Sequence, residues 1–292
     1  MTLSASDVPL HHLPVNGTTV HAAVLGTGPA VLLLHGFPHT WQLWLGLLET
    51  LAADHRVIAA DLRGLGDSDR PESGYDAATL ATDAVELLDA LDEPDAAVVG
   101  IDLGAAPAFL MAMRRPERVR ALVLMEALLG RLPGAQDFLA DGPPWWFGFH
   151  GVPGLAEQVL SGHESAYIDW FLTIGTRGRG VPEPLRTAFL DAYGSIEALR
   201  AAFAHYRAMP QSYHQIDRAA TETRLRVPTL AVGAQPVGDA LARQLTPLTD
   251  DLTSHVIPDC GHIIPVDGLP ALRPLLTDFL RTTGREKILP LH

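Results

Sequence analysis

The chemistry legible in this chain centres on five residues, Gly100-Ile101-Asp102-Leu103-Gly104. They follow an apolar run, Ala96-Ala97-Val98-Val99, that reads as a buried strand, and they precede a helix-like stretch from Ala105 to Arg115. A strand, a tight turn flanked by small residues and a helix make a nucleophile elbow, whose usual form is G-x-S-x-G. Here aspartate holds the serine position. Serine attacks carbonyl carbon and forms an acyl ester, whereas a carboxylate can attack saturated carbon and form an alkyl ester on the protein. The pattern therefore points to substrates with a strained or departing group on sp3 carbon, such as an epoxide or a carbon–halogen bond.

An attacking carboxylate needs a base for the second step, an acid to orient that base, and donors for the oxyanion formed when water attacks the ester. Among 13 histidines, His262 in Asp259-Cys260-Gly261-His262 lies just beyond the last strand pattern, after a glycine, and is the expected base. Two acids compete to orient it. Asp239 lies past the seventh strand, but Gly233-Ala234-Gln235-Pro236 puts proline where an acid is first sought. Glu126 ends the apolar strand Ala121-Leu122-Val123-Leu124-Met125, where an unpaired buried charge would be costly, and it is preferred over Asp239. Backbone N–H groups of Phe37 and Leu103 are the expected oxyanion donors. Gly36 and Pro38 tighten the loop around Phe37 and are compatible with a cis Phe37–Pro38 bond. The glycine-rich stretch from Asp61 to Ser68 lacks the lysine and spacing of a phosphate loop and reads as a structural turn pinned by Asp61 and Arg63.

These residues require a scaffold, and the rest of the chain describes one. Val31–Leu34, Val57–Ala60, the run before Asp102, Ala121–Met125, Thr229–Val232 and His255–Ile257 read as strands. They alternate with helical stretches such as Thr79–Leu91 and Pro270–Thr282, the pattern of a mostly parallel, helix-flanked sheet. From Leu128 to Arg226 no strand signal appears. Broken helical stretches crowd Trp145, Trp146, Phe147, Phe149, Tyr167, Trp170 and Phe171 into the first half of that segment. Residues 1–127 and 227–292 are accordingly expected to form an α/β core and 128–226 an inserted helical cap. The cap would roof the sheet edge where α/β proteins bind ligands.

Of the 292 residues, 47% are hydrophobic, ample for a core. The net charge of −13 argues against nucleic acid and anionic membrane surfaces as partners. A single cysteine, Cys260, excludes an internal disulfide, and no Cys/His spacing resembles a zinc site. The first residues lack the basic and apolar regions of a signal peptide, and no apolar run approaches a membrane span, so a cytoplasmic protein is expected. No cofactor or metal is called for. The expected partner is a small hydrophobic substrate, and a homodimer is compatible with the sequence.

Together His35-Gly36-Phe37-Pro38, Asp61-Leu62-Arg63-Gly64, the Asp102 elbow, Glu126 and Gly261-His262 resemble the α/β-hydrolase fold, in its aspartate-nucleophile branch of epoxide hydrolases and dehalogenases. The resemblance runs from about Val31 to Leu280. It implies a triad of Asp102, His262 and Glu126. Haloalkane dehalogenases hold the leaving halide with polar side chains at the places of Leu103 and Phe37, and fluoroacetate dehalogenases carry arginines just after the nucleophile; this chain has neither. Epoxide hydrolases use cap hydroxyls to receive the ring oxygen. His205-Tyr206-Arg207 resembles the second such position, and Trp146 occupies the place of the first, which implies Tyr206 as proton donor and Trp146 as a helper. Trp145, Phe149 and Phe37 are expected to contact substrate. Paired cap tryptophans with a later tyrosine are similar to epoxide hydrolases of bacterial aromatic-polyketide pathways, which implies a hydrophobic, polycyclic epoxide and a place in secondary metabolism. Two rival readings remain: a dehalogenase built on the same triad, and a non-catalytic ligand-binding homologue.

Overall fold

The computed structural model describes residues 3–283; the last nine residues of the expected core segment 227–292, and the first two of 1–127, lie outside them. Eight strands form one sheet in the order β1-β2-β4-β3-β5-β6-β7-β8. β1 (Leu10–Val15) and β2 (Thr18–Leu25) make an antiparallel hairpin, and β2 runs antiparallel to β4 (Arg56–Ala60). From β4 onward every pairing is parallel, through β3 (Ala30–Leu34), β5 (Ala96–Ile101), β6 (Val119–Met125), β7 (Thr229–Gly233) and β8 (Leu252–Val256). The expected strands all occur, with ends moved by a few residues. The hairpin adds to them. Its Asn16-Gly17 turn has positive φ at both residues, 42° and 72°, as a two-residue hairpin loop demands.

Central strands covered by helices on both faces must be apolar throughout, not alternating. β3, β5 and β7 accordingly have every residue buried. The flanking helices are α1 (Leu45–Ala52), α2 (Ala77–Ala90), α3 (Ala105–Arg114), α9 (Ala240–Leu245), α10 (Ile264–Asp267) and α11 (Leu269–Thr283). None of the described helices is long and apolar enough to cross a membrane.

Between β6 and β7 the described chain forms only helices and loops: α4 (Trp145–Gly151), α5 (Leu155–Leu160), α6 (Glu164–Gly175), α7 (Glu183–Tyr193) and α8 (Ile196–Glu222). The long α8 is capped by Ser195, whose Oγ accepts from Ala198 N at 3.2 Å. It is fixed to the core at the start of α2. There Ser212 Oγ accepts from Ala77 N (3.0 Å), and Gln215 Oε1 accepts from Ala78 N (2.9 Å). Those two N–H groups have no partner within α2 itself, so the contact satisfies them while docking α8. Arg207 on α8 also pairs with the nearly buried Glu157 on α5 at 3.0 Å.

Candidate active site

The elbow is built by close backbone approach. Asp102 has φ 53°, a left-handed conformation that costs an L-residue energy and turns its side chain out of the strand. The turn closes only because its neighbours lack Cβ atoms. A Cβ on Gly100 would overlap the Gly104 carbonyl oxygen, and one on Gly104 would overlap that of Leu34. A Cβ on Gly36 would overlap the Asp102 carboxylate itself.

That carboxylate is held at both oxygens. Phe37 N–H donates to Oδ1 at 2.9 Å, and the Leu103 N–H also donates to the group. Oδ2 lies 3.2 Å from His262 Nε2. The other ring nitrogen of His262, Nδ1, lies 3.2 Å from Glu126 Oε2. Glu126 is buried just past the end of β6, and its Oε1 accepts from Ala234 N. Thus the Glu126 charge sits between a backbone donor from the β7 loop and the imidazole. Asp239, the competing acid, is exposed at the start of α9 and faces Arg243 at 3.5 Å. His262 itself is clamped by its neighbours: Ile263 N donates to Gly175 O on α6 (2.9 Å), and Gln235 N donates to Cys260 O (3.0 Å).

The charges within this line reinforce one another. Burial alone would lower the His262 pKa, but hydrogen bonds to Asp102 and Glu126 and their charges raise it from 6.5 to about 10. Burial favours the neutral form of Asp102, yet the His262 ring, its charge, and the two N–H donors hold its pKa below the ordinary 3.8. The resting site is therefore an ion pair, Asp102 carboxylate against His262 imidazolium.

Asp102, Leu103, Phe37, Glu126 and His262 line a cavity of about 590 Å³ between the sheet edge and the helices of 128–226. Tyr206 and Trp146 line it from α8 and α4. Burial, then the nearby Asp102 charge, raise the Tyr206 pKa well above 10, so it is a neutral phenol. Phe37 packs edge-on against Phe171, Tyr193 and Tyr206. The Phe37–Pro38 bond is cis.

Two expected substrate contacts are corrected by the structure. Trp145 and Phe149 do not line the cavity. They lie four apart on α4, hence on one face, with ring centroids 5.9 Å apart, and Trp145 is 55% exposed against Trp170. The adjacent faces of α4 carry Trp146 and Phe147 to the cavity. Other lining residues were not anticipated: Met209, Tyr213 and Ile216 join Tyr206 on α8. Their spacing from Tyr206, three, seven and ten residues, is a helical stripe that the sequence displays. His150 is buried behind this wall, with its ring 4.4 Å from that of Tyr206 and Nε2 2.6 Å from the Tyr167 hydroxyl.

The loop after β4 is structural, as its composition suggests. Buried Asp61 accepts from Trp41 N (2.7 Å) and Asp67 N (3.1 Å) and meets His21 Nδ1 (2.8 Å) and His35 Nε2 (3.1 Å). Arg63 pairs with Asp83 through two bonds of 2.7 Å. His35 and its loop are thus anchored one residue before Gly36 and two before Phe37.

Known proteins resemble this chain in sequence and fold. A family model described as alpha/beta hydrolase fold matches residues 29–150. A soluble epoxide hydrolase of Corynebacterium sp. (strain C12) is 27% identical over 270 residues, covering 89% of this chain and 93% of that protein. Epoxide hydrolase 1 of Siraitia grosvenorii is 46% identical over 247 residues, covering 74% of this chain and 77% of that protein. The crystal structure of wild-type Cfl2 from Burkholderia cenocepacia superposes with a TM-score of 0.82 at 31% identity, over 93% of this chain and 95% of the other. An eight-stranded, mostly parallel sheet, an elbow with its side chain in a cavity, and this degree of identity across most of the chain place the protein in the epoxide hydrolase family of the α/β-hydrolase fold.

Proposed function

We propose that this hydrolase opens a hydrophobic epoxide to a diol through an alkyl ester on Asp102. The observation that carries the reading is the line Glu126–His262–Asp102, with both its contacts at 3.2 Å, ending in a largely apolar cavity. Oδ1, to which Phe37 N–H donates, stands where the ester carbonyl oxygen would lie. Oδ2 is then the attacking oxygen. It forms a bond to one epoxide carbon as that carbon's bond to the ring oxygen breaks. The oxygen leaves with the electron pair and takes a proton from the Tyr206 hydroxyl, while the Trp146 indole N–H hydrogen-bonds to it. An ordinary phenol is a stronger acid than the alcohol being formed, so the proton transfer runs in the right direction.

Water next attacks the ester carbonyl carbon, giving up a proton to His262. The tetrahedral oxyanion is stabilised by the Phe37 N–H that now binds Oδ1 and by the adjacent Leu103 N–H. Collapse breaks the carbonyl-carbon–oxygen bond, and the diol departs with a proton returned by His262; the proton that His262 lost on ester formation restores the Tyr206 hydroxyl, and the Asp102 acid proton passes back to His262. Formation of the ester also changes the base. It cancels the Asp102 charge, removing one of the two carboxylates that hold the proton on His262. The imidazole is thereby released to act at neutral pH only after the first step has occurred.

Residues 128–226 act in this reading as a cap, supplying Tyr206, Trp146 and an aromatic wall suited to an aryl or polycyclic epoxide of secondary metabolism. Replacing His262 with Gln should leave the first step possible and block the second. Intact-mass and peptide spectrometry after incubation with a turned-over epoxide should then find the added substrate mass on Asp102. Full diol production by that variant with no adduct would refute the covalent route. Halide release from organohalides, with no diol from any epoxide, would move the assignment to a dehalogenase.

A further inference from the structure

His205 lines the same cavity, one residue before Tyr206, and the mechanism above makes no use of it. It is buried, 3% exposed, and its Nε2 lies 2.9 Å from the carbonyl oxygen of Arg63. A carbonyl oxygen only accepts, so Nε2 must carry the hydrogen. Burial holds the pKa down at about 4, so the ring is neutral and Nδ1 is left with a bare lone pair. No described side chain or backbone group donates to that lone pair. Nor is it sealed off. Both nitrogens of His39 and Nδ1 of His150 are buried without partners, whereas Nδ1 of His205 is not among such sealed atoms.

The other polar side chains of this wall are occupied. The Tyr75 hydroxyl donates to Pro71 O at 2.6 Å and that of Tyr213 to Met209 Sδ at 3.5 Å. Ser212 Oγ accepts from Ala77 N and donates to Ala208 O. Asp102 and Glu126 have their oxygens engaged by His262 and backbone donors. Among the described residues, the hydroxyl oxygens of Tyr75, Tyr206 and Tyr213 can still accept, and His205 Nδ1 is the lining ring nitrogen open to the cavity with no partner of its own. Its orientation is fixed by the bond to Arg63, an anchor within the loop pinned by Asp61 and Asp83.

We propose that His205 Nδ1 accepts a hydrogen bond from a hydroxyl group of the substrate, so that the enzyme selects epoxides bearing an alcohol or phenol over matched epoxides without one. The inference rests on the epoxide reading of the cavity and names a substrate class for it. A lone pair in an apolar wall loses its water when any ligand binds, and only a donor-bearing ligand replaces that bond. Selectivity therefore comes as much from penalising donor-free substrates as from binding donors.

Three probes isolate the effect: the epoxides of cinnamyl alcohol, of cinnamyl methyl ether and of β-methylstyrene. With the unaltered protein, kcat/KM for the alcohol should exceed that for either of the others by about fivefold or more, mostly through KM. His205→Leu removes both ring nitrogens and puts no acceptor in their place. Its alcohol-to-ether ratio should fall to about one. Being a ratio within one preparation, that figure is independent of how much of the variant is folded. Equal kcat/KM for all three probes with the unaltered protein, or an undiminished preference in the variant, would overturn the role of His205 and leave the epoxide reading standing. Absence of diol from all three would overturn both.

Discussion

If the Asp102 charge holds the proton on His262, neutralising that charge must release it, and the size of the effect follows from the site. His262 faces two carboxylates at the same distance, 3.2 Å, while burial opposes its protonation. The net rise from 6.5 to about 10 is what two similar attractions achieve after burial has subtracted from them. Each attraction must then exceed half of that rise. Asp102→Asn preserves the shape and the oxygen near Phe37 N–H but carries no charge, as the ester would. It should bring the His262 pKa down by at least half of its rise above 6.5, a loss of roughly 2 to 3 kcal/mol in the attraction that holds the proton. At neutral pH the fraction of imidazole with a free lone pair would rise by about tenfold or more. The assay is a pH titration of histidine ring resonances by NMR in labelled protein, with His262→Gln assigning the signal. A His262 that still titrates near 10 in the Asp102→Asn variant would refute the proposed coupling of the base to the first step.

Other outcomes follow from the same structure. Tyr206→Phe removes the proposed proton donor and should lower kcat on an epoxide by roughly a hundredfold or more, within the range of acid–base catalysis, with diol formation as the readout. Gly104→Ala would set a Cβ well under 3.0 Å from the Leu34 carbonyl oxygen, so the elbow must open; a loss of about 1–3 kcal/mol or more in urea unfolding is expected. Asp61 is buried, which favours its neutral form, but His21, His35 and the Asp67 N–H together bring its pKa from 3.8 to about 2. A lowered carboxylate pKa stabilises the fold above 3.8, and that stabilisation is lost as pH falls through about 2. Asp61→Asn should therefore cost about 2 kcal/mol or more in unfolding free energy at pH 7, a deficit that shrinks on acidification; a deficit independent of pH would contradict this account.

Much of the site was legible because its signals are local. The small residues at 100 and 104 signal a tight turn within five residues, and an aspartate between them already suggests an attacking carboxylate. Glu126 could be preferred over Asp239 because a carboxylate ending an apolar strand must find a partner, while an acid at a helix start is content in water. The apolar runs of β3, β5, β6 and β7 announced a parallel sheet by lacking alternation. The hairpin of β1 and β2 and the α8 stripe of Met209, Tyr213 and Ile216 beside Tyr206 went unread, although Asn16-Gly17 and the helical spacing carry their signals.

What the chain could not disclose by itself were relations between distant residues. Trp145 and Trp146 are chemically the same and adjacent in sequence; only the roll of α4 about its axis, set by packing on α6 and α8, sends one to the cavity and the other to solvent. Likewise the tautomer of His205 depends on the Arg63 carbonyl, 142 residues earlier. The meeting of His262, Glu126 and Asp102 spans 160 residues of sequence and is made by parallel strands delivering their ends to one edge. Residue types and short-range sterics thus determined which reaction this protein is equipped for. Tertiary packing decided which side chains reach the reacting molecule, because direction and burial belong to the assembled surfaces and to no single segment.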